Sequence, residues 1–444
     1  MEVLIKIAQL LLSLSILVVI HEFGHYTFAK IFKTRVEKFY LFFNPWFSLF
    51  KFKRGETEYG MGWLPLGGYV KISGMIDESM DKEQMKKPPQ PWEFRSKSSP
   101  QRLLIMLGGV LYNFILAFLI FASVLYIWGE EYLPNSNVKY GIVCDSVALN
   151  MGLQNGDKIL SVDYNELDNF RTIVHKIILD DAKTIQIDRN GEKINIDIPE
   201  ETISYLLKKP DFINTRFPIS AFVIDGFVKD SPAKTAGLQK GDKITGINNN
   251  YFEFFDEFKE QITKNKNTEI ILNITRGTNK LNIPVKVNEL GMIGVAWDTK
   301  MFRDIFEYKK IEYGFFAAFP AGIKKGYNLG IDYLKQFKLL FQPKTKAYES
   351  LGGFITIGNI FPGVWDWKSF WFLTAFLSIL LGVINVMPIP ALDGGHVMFL
   401  LYEVISGRKP SDKFLEYAQI TGMIILFSLL IYANGNDIVK LFNK

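Results

Sequence analysis

The chain has 444 residues, 48% hydrophobic and 15% aromatic, with 51 Lys and Arg against 46 Asp and Glu; that length implies two to four folding units. A net charge of +5 with no long basic run argues against nucleic-acid binding. The single cysteine, Cys144, excludes an intramolecular disulfide and every multi-cysteine metal site, so a bound metal must draw on His, Asp or Glu. The first apolar element, Ile7 to Ile20, is an uncharged run of 14 residues, a length that also suits a signal-peptide core. No small-residue cleavage site follows it; His21-Glu22-Phe23-Gly24-His25 does. Leu103 to Trp128 and Ser369 to Leu392 carry no charge over 26 and 24 positions, and Tyr417 to Asn436 is a third charge-free stretch. Each is long enough to cross the roughly 30 Å hydrocarbon core. The expected fold class is therefore a multi-pass α-helical membrane protein with four spans. Residues 30–102 hold 14 Lys and Arg against 8 Asp and Glu, which places that loop in the cytoplasm, both termini outside, and the region from Gly129 to Lys368 on the far side. The first and third spans then both run inward and bring the His-Glu-His cluster and Asp393 to similar depth.

His21 and His25 stand one helical turn apart on one face, and Glu22 lies beside them. This is the H-E-x-x-H pattern in which two imidazoles grip Zn²⁺ and a carboxylate moves the proton of an activated water. The alternative, a pair of satisfied core histidines, is weakened because only four histidines exist and two fall in this window. A carboxylate within a span is costly and marks function. A catalytic zinc takes three protein ligands and leaves one position open. The best third candidate is Asp393, in the run from Asn385 to His396, where Pro388 and Pro390 interrupt an apolar helix and Gly394-Gly395 follow the acid. A plain helix end and loop would explain the glycines but not Asn385 at membrane depth. His396 ranks below Asp393 as a ligand.

Together, His21-Glu22-Phe23-Gly24-His25 and Asn385-x-x-Pro388-x-Pro390-x-Leu392-Asp393-Gly394 resemble the paired signatures of the site-2 protease family of intramembrane zinc metalloproteases. The resemblance covers essentially the whole chain. It implies zinc held by His21, His25 and Asp393, Glu22 as general base, and Asn385 as a group that holds the substrate backbone or the transition state. Val386 stands where the family usually has Leu, a conservative change.

Between the second and third spans, Gly141–Ile159 and Gly226–Ile244 match at 12 of 19 positions with an offset of 85, an internal duplication. Each copy is followed by alternating strands about a turn, at Asn190-Gly191 and Arg276-Gly277, so two small β-rich modules are expected. The pattern Ala236-Gly237-Leu238-x-x-Gly241-Asp242-x-Ile244, with Met151 in place of the Ala in the first copy, resembles PDZ domains of bacterial envelope proteases. The resemblance implies strand addition of peptides and a screen for substrates already trimmed outside the membrane; the alternative is a pair of spacers without a ligand. The resulting division is 1–128 the N-terminal membrane region with spans one and two, 129–216 and 217–296 the two PDZ-like modules, 297–368 an amphipathic linker, and 369–444 the C-terminal membrane region with spans three and four. Ile323, Tyr327, Ile331, Leu334, Phe337 and Phe341 recur at helical spacing in that linker, which suits a helix on the membrane surface or one packed on the modules.

A membrane protease must unwind its substrate helix, and an exposed β-edge near the metal could hold the unwound strand. Residues 47–53 and 58–72 read as strands of a hairpin about Arg54-Gly55-Glu56. The family resemblance makes it a membrane-dipping hairpin, with Gly67 and Gly68 at close-approach positions. The function expected is regulated intramembrane proteolysis of single-pass proteins, such as anti-sigma factors and remnant signal peptides, in the lipid bilayer of the bacterial inner membrane. Catalysis would sit toward the cytoplasm and the PDZ-like modules outside. The competing readings are an inactive adaptor that binds envelope proteins through its PDZ-like pair, and a transporter, disfavoured because no repeated membrane half is visible.

Overall fold

The computed structural model describes residues 1–65, 67–75, 88–298 and 304–442. They form two compact units, one of Met1–Gly129, Glu312–Phe341 and Tyr348–Lys444, the other of Glu130–Ile311 and Gln342–Ala347.

In the first unit, the helices are α1 (Glu2–Ile31), α2 (Ser99–Trp128), α3 (Phe315–Leu340), α4 (Phe354–Asn359), α5 (Trp367–Val386), α6 (Asp393–Ser406) and α7 (Asp412–Phe442). Among the described residues four, α1, α2, α5 and α7, are long and apolar enough to cross a membrane. α1 is 30 residues, about 45 Å. The His-Glu-x-x-His segment simply continues the helix past the uncharged run. α2 begins where the Ser98 N–H donates to Gln101 Oε1, and it packs against α1, α3, α5 and α6. α1 meets it at Gly24, where an added Cβ would lie 2.2 Å from the Gly108 carbonyl oxygen, so the two backbones touch. Small residues at such crossings let membrane helices associate through close van der Waals contact. The Ser378 hydroxyl donates to the Asn113 carbonyl at 2.8 Å and ties α5 to α2.

The third span does not run on to Leu392. Pro388 and Pro390 lack the N–H that continuation needs, so α5 stops at Val386 and Met387 is extended (φ −60°, ψ 144°). Ala391 takes φ +79°, a left-handed conformation rare for alanine, and Asp393 opens α6 rather than closing a helix. The glycines after it are required by contact: a Cβ on Gly394 would sit 2.2 Å from the Met387 carbonyl oxygen. α7 crosses the break with Gly422 against the Pro390 carbonyl. Near its other end, the buried Asp437 accepts from the backbone N–H groups of Gly353 and Thr356 and from the Thr356 hydroxyl, holding the start of α4. α3 turns Gly322 and Gly326 to Ala122 and Phe118 of α2, while Ile323, Tyr327, Ile331, Leu334 and Phe341 are exposed.

The segment after α1 forms a four-stranded sheet, β2-β3-β1-β4, of β1 (Val36–Leu41), β2 (Phe50–Arg54), β3 (Thr57–Met61) and β4 (Tyr69–Ile72). β2 and β3 make the expected hairpin, with Arg54 opposite Thr57. The run 58–72 is split, however: Gly62 lies against the Phe43 carbonyl, and Tyr69–Ile72 pairs antiparallel with β1, which also lies parallel to β3. Among the described residues β4 is consequently an edge strand.

The second unit contains two sheets of matching order, built from 192–197, 184–189, 158–162 and 165–166, and from 279–286, 269–276, 243–247 and 250–251. The duplication extends to the interior. Leu153, Ile159, Ile173, Ile177, Ile185 and Ile187 are buried in one core, and Leu238, Ile244, Phe258, Ile262, Ile270 and Leu272, each 85 positions on, are buried in the other. Each module also carries a two-bond arginine clamp on the Asp of its Gly-Asp turn: Arg189 on Asp157 (both 2.8 Å) and Arg276 on Asp242 (2.7 and 2.8 Å). The same guanidinium donates to the Gly152 or Gly237 carbonyl.

Candidate metal centre

Helical spacing places His21 and His25 on the face of α1 that looks toward α2, and the broken α5–α6 connection carries Asp393 to the same point. His21 Nε2 and His25 Nε2 lie 3.2 Å apart, and Asp393 Oδ2 lies 3.2 Å from the first and 3.4 Å from the second. All three residues are at most half-exposed, and His25 is 7% exposed.

The other ring nitrogens decide what this cluster lacks. His25 Nδ1 is 2.8 Å from the Ile105 carbonyl oxygen, which can only accept. The proton of the neutral ring is therefore on Nδ1, and Nε2 presents a lone pair. His21 Nδ1 is 3.0 Å from the Asn113 side-chain amide. Asn113 is fully buried, and its Oδ1 has no hydrogen-bond partner. Since amide oxygen and nitrogen are interchangeable by a flip, turning the amide lets Oδ1 accept from His21 Nδ1–H and satisfies both groups. Both Nε2 atoms then point lone pairs at Asp393 Oδ2, itself buried without a hydrogen-bond donor. With the rings in these tautomers three acceptors converge, and a cation is what such a set fits. Their separations match the edge of a tetrahedron with metal–ligand bonds of 2.0–2.1 Å, about 3.3 Å. The donor set of two imidazoles and a carboxylate suits zinc and leaves a fourth position open.

The cluster forms one wall of a cleft of about 490 Å³, also lined by Glu22, Gly68, Val70, Asn385, His396 and Gln419. Glu22 is one residue from His21 and beside the backbone N–H of Val70 on the edge strand β4. A Cβ on Gly68 would be 3.5 Å from Glu22 Cγ and 2.7 Å from the Tyr40 carbonyl oxygen, so its lack of a side chain brings β4 up to the carboxylate. Asn385, in the last turn of α5, lines the cleft and is 8% exposed. Gly67 is not brought to the cluster; it adopts φ +143° over the Phe43 ring. His396 lines the cleft outside the three-residue cluster.

Two residues that sequence reasoning passes over complete the site. Gly109 allows the histidines to lie against α2: its Cβ would be 2.5 Å from His25 Nε2 and 2.6 Å from His21 Cε1. Asn113 is the one side-chain amide in the uncharged run 103–128, and a lone amide at hydrocarbon depth is the signal that could have found it.

Residues 9–429 match the model of peptidase family M50. The chain is similar over nearly its full length to the regulator of sigma-E protease RseP of Escherichia coli K12, at 28% identity over 456 residues covering 98% of each protein. It is likewise similar to the regulator of sigma E protease of Haemophilus influenzae, at 28% over 459 residues (99% of this chain, 100% of the relative). Protease RseP of Yersinia pestis is 29% identical over 469 residues, with 99% of this chain and 100% of the relative covered. A match of this extent, on a chain whose spans bring two imidazoles and a carboxylate together, means that the protein belongs to peptidase family M50, the site-2 type of membrane zinc metalloprotease.

Proposed function

We propose that this protein cuts single-pass membrane proteins within or near the bilayer, after another protease has removed their outer domains, and releases a cytoplasmic fragment. Anti-sigma factors and remnant signal peptides are the substrate classes that suit this reading. The observation that carries it is the convergence of His21 Nε2, His25 Nε2 and Asp393 Oδ2 within 3.4 Å of one another, next to a carboxylate.

In the mechanism, His21, His25 and Asp393 would hold zinc, which would supply Lewis acidity there. Ile105 and Asn113 keep the two rings in the tautomer and orientation that this requires. Glu22 takes a proton from the attacking water and delivers it to the leaving amine. The substrate, unwound from its helix, adds as a strand along β4, and the Asn385 amide engages its backbone on the other side of the cleft. Gly67 and Gly68 shape the approach to that edge, Gly68 directly and Gly67 through the turn over Phe43. The two duplicated modules, 129–216 and 217–296, act as PDZ domains outside the inner membrane and admit trimmed substrates, while the active site faces the cytoplasm; the charge of loop 30–102 supports this orientation.

The test is cleavage of a model transmembrane substrate by the purified full-length protein, with Glu22→Gln and a chelator as arms. Wild type should cut and both arms should not, while Glu22→Gln keeps its metal. Cleavage surviving in Glu22→Gln would refute the assignment, and a protein that binds envelope peptides but never cuts would be an adaptor.

A further inference from the structure

The cleft also holds a buried amide that the metal site does not use. Gln419, on α7, is 4% exposed and lines the same cleft as Glu22, Asn385 and Asp393. Among the described residues α7 buries two polar side chains, and they differ in how they are satisfied. Asp437 accepts from the Gly353 and Thr356 N–H groups and from the Thr356 hydroxyl. The Gln419 amide has no hydrogen-bond partner among the described residues. A buried polar group left in that state is costly, and next to a catalytic cleft it points to a ligand. Its place is fixed by its neighbours along the helix. Gly422, one turn on and on the same face, lies against the Pro390 carbonyl in the connection that delivers Asp393. Leu415, one turn before, lines a smaller cavity of about 70 Å³, and Gln419, with Met75 and His396, lines both this cavity and the cleft.

We infer that the Gln419 amide binds the peptide backbone of the substrate's unwound segment, one N–H and one C=O; this rests on the proteolytic reading above. The chemistry of the group selects the backbone. A primary amide carries a donor and an acceptor side by side, and one residue of an extended strand turns the same pair toward its neighbour. Unwinding strips the substrate of its intrahelical bonds in a place poor in water, where each N–H and C=O must find another partner. β4 serves only one edge of an added strand. The substrate residues between those that bond β4 turn their N–H and C=O the other way, and a side-chain amide outside the sheet is what meets them.

The test uses the full-length protein in phosphatidylcholine vesicles, a model transmembrane substrate, and a set of its analogues in which one peptide N–H near the cut at a time is replaced by an ester oxygen. Gln419→Leu and Gln419→Met, both of similar size, should keep wild-type zinc content and thermal transition. Each should raise KM about tenfold with kcat within about twofold of wild type, the pattern of lost uniform binding. In wild type, one ester away from the scissile bond should cost about tenfold in kcat/KM, and in both variants the same ester should cost nothing further. Esters that disturb the bonds to β4 should cost the same in all three proteins. The inference is overturned if the variants cut the parent with unchanged KM, if every ester penalty is the same in wild type and variants, or if the variants lose zinc or their fold, which would make Gln419 a structural residue. No cleavage of the parent substrate by wild type would remove the underlying proteolytic reading and this inference with it.

Discussion

Replacing Asn113 by Leu should weaken zinc binding while leaving the bundle intact. The two side chains have similar size, so no large cavity forms, and the Ser378 hydroxyl bond to residue 113 uses the backbone carbonyl, which every substitution keeps. What is lost is the partner 3.0 Å from His21 Nδ1, at a residue with no solvent exposure. A buried N–H left without an acceptor costs about 1–3 kcal/mol, and each 1.4 kcal/mol is tenfold in an equilibrium constant. The cost falls on the metal-bound state, where Nδ1 must carry the proton. Zinc affinity should therefore fall about 10- to 100-fold, as for other groups that orient metal-bound histidines. Asn113→Asp retains an acceptor and should stay near wild type. The assay is competition between the purified full-length protein and a zinc-binding dye, with His25→Ala as the floor. The reasoning is refuted if Asn113→Leu, folded by its thermal transition, holds zinc within about threefold of wild type.

Gly109→Ala should abolish both metal binding and cleavage, because its methyl would lie 2.5 Å from His25 Nε2; wild-type zinc content in that variant would show that the α1–α2 contact adjusts freely. Asp242→Ala should destabilise the second module by about 1–3 kcal/mol, since it removes the buried acceptor of the Gln239 N–H and of the Arg276 clamp, and protection of strand 269–276 in hydrogen exchange would report the loss. Burial alone would push the Asp242 carboxyl up, but the Arg276 clamp and the Gln239 N–H outweigh it and hold the group below its ordinary value. Its contribution is thus fully present above the usual carboxylate range and is lost as pH falls through the lowered value. Strand 269–276 should lose protection in acid, and the Asp242→Ala variant should lack that component of the pH dependence.

What was legible in the sequence was local or repeated. His21 and His25 are joined by helical spacing, and the two modules by an offset that preserves even their buried positions. Asp393 was legible as a chemical anomaly, an acid after two prolines in an apolar run, though not as the first residue of a new helix. Residues defined by distant contacts were harder to read. Asn113 meets His21 across 92 positions, and Val36–Leu41 becomes a strand through pairing with both Thr57–Met61 and Tyr69–Ile72. In α3 the aromatic stripe drew attention, whereas Gly322 and Gly326, spaced by four, make the contact with α2.

The claim that everything else depends on is that one divalent cation sits among His21, His25 and Asp393, and elemental analysis of the purified full-length chain tests it most directly. One zinc per chain is expected in wild type and in Glu22→Gln, and none in His25→Ala or Asp393→Ala. A wild-type chain without stoichiometric metal, or an Asp393→Ala chain that retains zinc at wild-type affinity, would contradict it.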